Sequence, residues 1–262
     1  MPLRPETLLH RLKGYEHFSL RPFDRGSANG LFEVIGPAQE TLMRVHDTWA
    51  TMGVDRGREA ALWHLACQQR LAPELIHWDP AHRFCVMRRW GQAADTLPPS
   101  EAISVLLAFH RLPAAPAPWD YAANLCSERW PAAKQWQAQL LASALSAGLC
   151  HHDPGRGNWL CRHGALRLID FEYAGWGHPL WDLACLDVEW GAEVGSLVLK
   201  GYYAALGLTL NDAEYRALAS ARRLYLATSI DWCRQAMEQG GDLAQLQTWL
   251  SRYQQLLGAC ED

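Results

Sequence analysis

The stretch of sequence that decides the fold lies at residues 149–190 and reads LCHHDPGRGNWLCRHGALRLIDFEYAGWGHPLWDLACLDVEW. Two short apolar runs occur within it, Trp159–Cys161 and Leu166–Ile169, and the residues between them include Gly164. Short apolar runs on either side of a glycine-containing turn are typical of a β-hairpin. We therefore predict two antiparallel strands at this point of the chain.

Three oxygen-bearing side chains flank the predicted hairpin. Asp153 and Asn158 lie just before its first strand, and Asp170 lies at the end of its second. Carboxylate and amide oxygens from separate loops can bind Mg²⁺ while leaving other positions to water and phosphate oxygens. We predict that Asn158 and Asp170 bind Mg²⁺ beside a nucleotide. Asp153 is then the expected catalytic carboxylate, which orients an acceptor hydroxyl and takes its proton.

The first third of the chain has the pattern of a β-sheet with one helix. Gly30–Ile35 and Thr41–Val45 are apolar segments separated by turn residues, which predicts a hairpin. Arg58–Arg70 has apolar residues at helical spacing and is predicted to be a helix. A further strand is predicted at Arg83–Arg88.

A change in composition follows this region. Residues 91–99 are rich in turn formers, and the pattern after them is mainly helical. We therefore predict two domains, a nucleotide-binding domain at residues 1–91 and a helical domain at residues 92–262 that carries the hairpin.

Several helix boundaries can be predicted in the second domain. Ser100 offers an N-cap oxygen to one helix, and Ala132–Ala147 is predicted to form another. From Leu180 onward the pattern is almost wholly helical, with predicted breaks at Gly207–Asn211 and Gly240–Gly241.

Composition restricts the class of protein. The chain has 262 residues, 49% of them hydrophobic, and a formal net charge of −4. Such a chain is expected to be globular, and its acidic excess argues against nucleic acid as a partner. Residues 1–13 lack the apolar core of a signal peptide, and no run is long enough to span a membrane, so we expect a cytoplasmic protein with no membrane partner. The eight cysteines occur singly, which favours reduced thiols over disulfides or a zinc site.

Three motifs carry a resemblance to a known family. H-x-D-x-x-x-x-N at His151–Asn158, I-D-F-E-Y-A-G at Ile169–Gly175 and P-x-x-D-L-A at Pro179–Ala184 resemble the aminoglycoside phosphotransferase and choline kinase superfamily. The second motif is closest in form to the choline, ethanolamine and bacterial thiamine kinase branch. The resemblance implies an α+β, two-lobed protein-kinase-like fold, with a small antiparallel sheet and one helix in the first lobe and a larger, mostly helical second lobe. It also implies ATP and Mg²⁺ as cofactors.

The resemblance implies a set of nucleotide-binding residues in the first domain. Asp24–Val34 resembles a shortened loop whose backbone N–H groups cover phosphates. Arg44 stands where the family places a basic residue on the α- and β-phosphates; typical kinases have lysine there, and arginine is common in the thiamine-kinase-like branch. The implied cofactor-binding residues are Ser27 and Asn29 of the loop, Arg44, Glu59 as its acidic partner, and Met87 at the hinge that receives adenine.

Three other residues of the motif region have expected roles, and two roles are open for the first of them. Glu172 can approach the metal or acceptor, or it can bind nearby backbone. His151 is expected to be structural because neighbouring residues of an extended segment point to opposite faces. Asp182 is expected to bind the catalytic loop by hydrogen bonds.

Tryptophans are unusually numerous in this chain, which has 13 of them. Most are expected in the core, and a subset beside Asp187, Glu189 or Asp231 could instead line a pocket for a cation. The tryptophans considered are Trp159, Trp176, Trp181, Trp190, Trp232 and Trp249.

The leading hypothesis is transfer of a phosphate from ATP to the hydroxyl of a small molecule. Thiamine and choline-like amino alcohols are the preferred acceptors, and a cationic acceptor is one option. The alternatives are a kinase of amino sugars, sugars or aminoglycosides, and a nucleotide-binding pseudokinase without turnover.

Overall fold

An antiparallel sheet occupies the first third of the chain. The computed structural model describes residues 4–23, 30–36, 40–46, 53–117 and 119–260. The strands of this sheet are β1 (Ser19–Pro22), β2 (Gly30–Ile35), β3 (Thr41–Val45), β4 (Leu75–Trp78) and β5 (Phe84–Arg88). Their order is β1-β2-β3-β5-β4, and every neighbouring pair is antiparallel. The predicted hairpin, now β2 and β3, is confirmed, and so is the strand predicted near residues 83–88.

Two helices accompany this sheet rather than the one that we predicted. The first, α1 (Pro5–Leu9), is short and buries Leu8 and Leu9 in a cluster with Met43 and Phe84 of the sheet. Its pattern is too short to give a helical period, so the sequence contains little signal for it.

The second helix, α2 (Arg56–Gln68), begins and ends two residues before the predicted bounds. It begins earlier because Asp55 caps it, with a side-chain oxygen that accepts a hydrogen bond from Arg58 N at 3.0 Å. It ends earlier because Arg70 has a φ of 60°, outside the helical region. Its buried face includes Trp63 and the carboxylate of Glu59.

Six helices form most of the rest of the described chain. They are α3 (Pro99–His110), α4 (Ala133–Leu140), α5 (Pro179–Trp190), α6 (Ala192–Ala205), α7 (Asp212–Glu238) and α8 (Leu243–Gly258). The long helix α7 packs against α4, α5 and α8 and so forms the centre of this lobe. The predicted breaks near residues 207–211 and 240–241 are confirmed. A further break at Gly191, where φ is 94°, was not predicted.

Two predicted helix boundaries in this lobe are wrong. Pro98, not Ser100, is the N-cap of α3, and the Ser100 hydroxyl donates to the Glu101 side chain at 2.6 Å. The helix predicted at residues 132–147 stops at Leu140. The segment beyond it is held by Glu214 of α7, which accepts from Ala144 N at 2.9 Å. This long-range contact replaces the next helical turn.

The hairpin predicted at residues 159–169 is present, and its two strands lie in a second, three-stranded sheet. That sheet has the order β6-β8-β9, with β6 (Gln92–Ala93), β8 (Trp159–Arg162) and β9 (Ala165–Leu168). A second small pair joins β7 (Gly148–Cys150) to β10 (Gly175–Gly177). The domain boundary predicted after residue 91 lies in the connection between β5 and β6, and it stays a prediction. Among the described residues, the structure contains no helix with the length and apolar character to cross a membrane.

The turn between β4 and β5 supplies a test of the sheet lobe. Asp79 is 4% exposed, and its carboxylate accepts hydrogen bonds from Arg83 N, Nε and Nη2 at 3.0, 2.7 and 2.8 Å. These bonds, chiefly those from the guanidinium, lower the pKa of Asp79 from its usual 3.8 to about 2. The ionised form therefore stabilises the folded state above the usual pKa, and this stabilisation is lost as the pH falls toward 2.

We predict that Asp79→Asn lowers the free energy of unfolding by about 1–2 kcal/mol near neutral pH. The deficit relative to the wild type should shrink as the pH is lowered toward the pKa of Asp79. Urea unfolding at a series of pH values measures both quantities, and Asp95→Asn, at an exposed position, is the matched control. A deficit that is the same at every pH contradicts the assignment.

Candidate active site

The loop between β7 and β8 positions two of the three predicted side chains. The amide nitrogen of Asn158 donates to Asp153 Oδ2 at 2.8 Å and to the Asp153 carbonyl at 2.9 Å. Because both bonds use the amide nitrogen, the amide oxygen of Asn158 is the atom that can bind a cation. The pair is therefore fixed by direct contact, with one carboxylate oxygen of Asp153 held toward Asn158.

Asp170 reaches the same region from the other end of the hairpin. The backbone of Ile169, the residue before it, donates to the Asn158 carbonyl at 3.0 Å. Asp170 itself has a φ of 65°, a left-handed conformation that is uncommon outside glycine and is often found at functional sites. The hairpin thus brings Asp153, Asn158 and Asp170 together, as the sequence predicted.

The pKa of Asp153 depends on its burial and on the acids around it. Burial, and then the negative charges of Asp170, Glu189 and Glu172, raise the pKa of Asp153 well above its usual value, against the lowering effect of Asn158. Several carboxylates that share one region repel each other. A divalent cation placed among them would relieve this repulsion, and the oxygen donors present are those that Mg²⁺ prefers.

Arg44 connects the sheet lobe to this acidic group. Its guanidinium donates from Nη1 to Asp170 Oδ1 at 2.8 Å and from Nη2 to Glu59 Oε1. The side chains of Arg44 and Glu59 are 8% and 0% exposed. The pairing of Arg44 with Glu59, implied by the family resemblance, is present in the structure.

Arg56 is a second buried cation at this site, and the sequence analysis missed it. Its Nη1 donates to Glu59 Oε2 at 2.6 Å and to Glu172 Oε2 at 3.0 Å. The spacing of Arg56 three residues before Glu59 on one helix face was the available signal. Glu172 therefore binds an arginine side chain, an arrangement that neither of its two readings contained. Burial and the charge of Asp170 raise the pKa of Glu172 to about 7.

Two buried guanidinium atoms of this network have no acceptor among the described residues. They are Arg44 Nε and Arg56 Nη2. A buried N–H group without a partner costs free energy, so such groups are rare unless a ligand or water supplies the acceptor. The oxygens of a nucleotide phosphate fit this requirement, because guanidinium groups bind phosphate by charge-assisted hydrogen bonds.

Asp182 binds the backbone of the loop between β7 and β8 by hydrogen bonds, as predicted. Its Oδ2 accepts from His151 N at 2.8 Å and from His110 Nε2 at 3.0 Å, and its Oδ1 accepts from His152 N at 2.8 Å. The ring of His151 binds the Ile169 carbonyl at 3.0 Å, which confirms a structural role. Asp182 therefore fixes the two residues before Asp153.

The remaining nucleotide-site predictions have different outcomes. Ser27 and Asn29 lie outside the described residues. Met87 lies in β5, where its backbone pairs with Leu42 and Leu75 and its side chain is 7% exposed. Its predicted place at an adenine site stays a prediction.

Glu189 is the acid that lies beside Asp153 among the three considered for a cation pocket. A Cβ atom placed on Gly155 would lie 3.4 Å from Asp153 Oδ1 and 3.6 Å from Glu189 Cγ. The two side chains therefore flank one glycine. Glu189 also accepts from Tyr225 OH at 3.3 Å and from Arg252 Nη1 at 2.9 Å.

The other two acids have partners elsewhere. Asp187 forms an ion pair with Arg222 at 3.1 Å and packs against Gly195 of α6. Asp231 binds the Arg129 side chain and accepts from Trp130 Nε1 at 2.9 Å. The suggestion that these acids stand beside the pocket is therefore not supported by their contacts.

Five of these tryptophans divide into a buried group and a half-buried pair. Trp159, Trp181 and Trp190 are buried in the main hydrophobic core. Trp232 and Trp249 are half-buried, with ring centroids 6.3 Å apart, and Trp232 Nε1 donates to Tyr173 OH at 2.9 Å. Tyr173 follows Glu172 directly, so this aromatic pair adjoins the acidic group.

Comparison with known proteins identifies the family. The sequence profile of the phosphotransferase enzyme family (APH) matches residues 19–220. The chain therefore belongs to this family. No curated protein matches the chain by sequence.

Several solved structures share the fold of this chain. A choline/ethanolamine kinase family protein from Mesorhizobium loti has 20% identity and a TM-score of 0.76, over 98% of this chain and 92% of that one. Choline kinase LicA from Streptococcus pneumoniae has 18% identity and a TM-score of 0.70, over 93% of each chain. APH(2")-IIa in its ternary complex with streptomycin and ATP has 18% identity and a TM-score of 0.61, over 88% of this chain and 90% of that one. These likenesses confirm the two-lobed protein-kinase-like α+β fold.

We predict that Asp182→Asn lowers the free energy of unfolding by about 2–4 kcal/mol. An amide in this position turns an N–H group toward a backbone donor and leaves at least one buried donor unpaired. Denaturant unfolding measures the loss, with Asp95→Asn as the exposed control. A loss no larger than that of the control contradicts the role given to Asp182.

Proposed function

We propose that this protein is an ATP- and Mg²⁺-dependent kinase that phosphorylates a hydroxyl group of a small molecule. One observation carries the proposal. Asp153, Asn158 and Asp170 converge at one end of the β8–β9 hairpin, and Arg44 reaches them from the sheet lobe. Phosphoryl transfer needs this combination, because the protein mainly positions the nucleophile and neutralises charge on the phosphates.

Asn158 and Asp170 would hold Mg²⁺ in this proposal. The amide oxygen of Asn158 and the carboxylate of Asp170 come from separate loops, which leaves other positions of the ion to phosphate oxygens and water. The bound ion supplies positive charge that offsets the negative charge of the transferred phosphate.

Arg44 and Arg56 would bind the phosphates. The free Nε of Arg44 and the free Nη2 of Arg56 are the donors available for this purpose. Glu59 holds both guanidinium groups in place, because each donates to one of its two carboxylate oxygens. The phosphates would therefore meet donors whose orientation is already fixed.

Asp153 would orient the acceptor hydroxyl and accept its proton. One carboxylate oxygen is held by Asn158, so the second can accept a hydrogen bond from the substrate. Its raised pKa makes it a stronger base than an exposed aspartate, which favours proton transfer in the transition state.

The acceptor site would lie beside Glu189 and the aromatic residues of α7 and α8. Glu189 flanks the same glycine as Asp153, and Trp232 and Trp249 adjoin Tyr173. Aromatic faces with a carboxylate stabilise cationic groups. This favours a choline-like amino alcohol or thiamine over neutral sugars, and LicA, a choline kinase, has the same fold.

We predict that Asp153→Asn lowers kcat at least about 100-fold on any acceptor that the wild type phosphorylates. A panel of choline, ethanolamine, aminopropanol, thiamine, amino sugars and aminoglycosides, assayed by ADP release, finds the acceptor. Affinity for a non-hydrolysable ATP analogue should stay within about threefold of the wild type, as should that of the control Asp95→Asn.

Two results would contradict this proposal in different ways. Wild-type turnover by Asp153→Asn excludes the assigned catalytic role. Nucleotide binding without product from any member of the panel favours the pseudokinase alternative.

A second prediction concerns the charge of the acceptor. Glu189→Gln should raise KM for cationic acceptors about tenfold, equal to about 1.4 kcal/mol of binding, while KM for uncharged acceptors stays the same. Asp231→Asn, which removes an acid that binds Arg129, is the matched control and should leave every KM unchanged. An equal rise for charged and uncharged acceptors would show that Glu189 acts through local structure instead.

A further inference from the structure

A second cavity lies beside the β8–β9 hairpin, and none of Asp153, Asn158 and Asp170 lines it. Its volume is about 410 Å³, within the range of about 300–1,000 Å³ that is usual for small-molecule sites. Arg162 of β8 and Arg167 of β9 form one side of it. Asn158 stands just before β8 and Arg162 is its last residue, so about 13 Å of extended chain separates these two residues.

The walls of this cavity are strongly basic. Four arginines line it, Arg70, Arg88, Arg162 and Arg167, together with a single carboxylate, Glu74. Glu74 binds Arg88, with Arg88 Nε donating at 2.6 Å. In the part of the chain that the structure describes, no carboxylate oxygen lies within 4.0 Å of the guanidinium nitrogens of the other three arginines. The cavity therefore has an uncompensated positive charge, in a protein whose net charge is −4.

Arg167 packs against an aromatic ring at the wall of the cavity. Its guanidinium carbon lies 4.2 Å from the ring centroid of Trp90, and its side chain is half-buried. Burial lowers the pKa of Arg167, and the charges of Arg162 and Arg70 lower it further against the opposing effect of Cys67. Arg70, Arg162 and Arg167 line one cavity, and an anion bound there would offset the repulsion that Arg70 and Arg162 exert on Arg167.

The backbone around the cavity is fixed by contacts between separate elements. Leu168 N donates to the Leu71 carbonyl at 2.8 Å, which joins the end of α2 to β9. On the far side, a Cβ atom on Gly91 would lie 2.4 Å from the Cys161 carbonyl oxygen, so the connection after β5 packs directly against β8. Arginines from three regions of the chain therefore line one space, and the backbone that carries them is fixed by these contacts.

We propose that this cavity binds a small molecule that carries a diphosphate group, whose oxygens accept hydrogen bonds from Arg70, Arg162 and Arg167. Guanidinium groups bind phosphate oxygens in pairs through their planar set of donors, and several of them together match adjacent phosphates better than a single carboxylate. The site is separate from the one that would bind ATP. Its occupancy can therefore be measured without turnover and does not depend on the proposed kinase activity.

Calorimetric titration with inorganic pyrophosphate, in magnesium-free buffer of low ionic strength, tests this proposal. The double variant Arg162→Gln/Arg167→Gln removes one exposed and one half-buried arginine from the cavity. The control Arg216→Gln/Arg234→Gln removes an exposed and a half-buried arginine from α7, which does not line the cavity. We expect the wild type and the control to bind alike, and the cavity variant to bind at least about tenfold more weakly or to lose one binding site.

Two results would overturn the proposal. One is the absence of pyrophosphate binding by the wild type. The other is equal affinity and stoichiometry in the wild type and the cavity variant, since the anion then binds elsewhere, for example at Arg44 and Arg56.

A single variant keeps the test valid if the double variant does not fold, as judged by circular dichroism. Arg70→Gln changes an exposed side chain. A loss of affinity of about threefold or more in this variant supports the proposal, and unchanged affinity overturns it.

Discussion

The ion pair between Arg44 and Asp170 is the interaction on which the rest of the site depends. It joins residues 126 positions apart in the chain and connects the sheet lobe to the hairpin that carries the other site residues. Glu59 holds the other side of Arg44 inside the protein, where both side chains are almost completely buried. Removing either Arg44 or Glu59 would take away the charge that compensates the other buried side chain, which costs about 3–5 kcal/mol. This ion pair therefore joins the two lobes at the point where the phosphates are expected.

The backbone at the candidate site is held in an unfavourable conformation at two positions, one on each side of the β8–β9 hairpin. His152 and Asp170 have φ values of 66° and 65°, and non-glycine residues adopt such values at a cost of about 1–3 kcal/mol. Asp182 offsets this cost at the first position, because its carboxylate binds the backbone of His152 directly. The hydrogen bond from Ile169 N to the Asn158 carbonyl offsets the cost next to Asp170. The oxygens of the site are thus positioned before any ligand binds, which is the usual requirement for electrostatic catalysis.

The features that the sequence predicted are those set by short-range patterns. The β2–β3 pair and the β8–β9 hairpin depend on apolar runs and turns that are adjacent in the chain, and the hairpin alone brings Asp170 to Asn158. The features that it missed depend on distant contacts. Glu214 ends α4 early from 70 residues away, and Arg56 reaches Glu172 across 116 residues. Which of the three acids lies beside Asp153 likewise depends on distant contacts. Glu189 binds Arg252, Asp187 pairs with Arg222, and Asp231 binds Arg129.

In the proposed mechanism, Asn158 and Asp170 bind one divalent ion beside the nucleotide. A crystal structure with a non-hydrolysable ATP analogue and Mn²⁺, with anomalous diffraction to locate the metal, tests it most directly. We expect an anomalous peak within bonding distance of the Asn158 amide oxygen and an Asp170 carboxylate oxygen, with a phosphate oxygen within hydrogen-bond distance of Arg44 Nε. A nucleotide bound with its metal away from both residues would contradict the account.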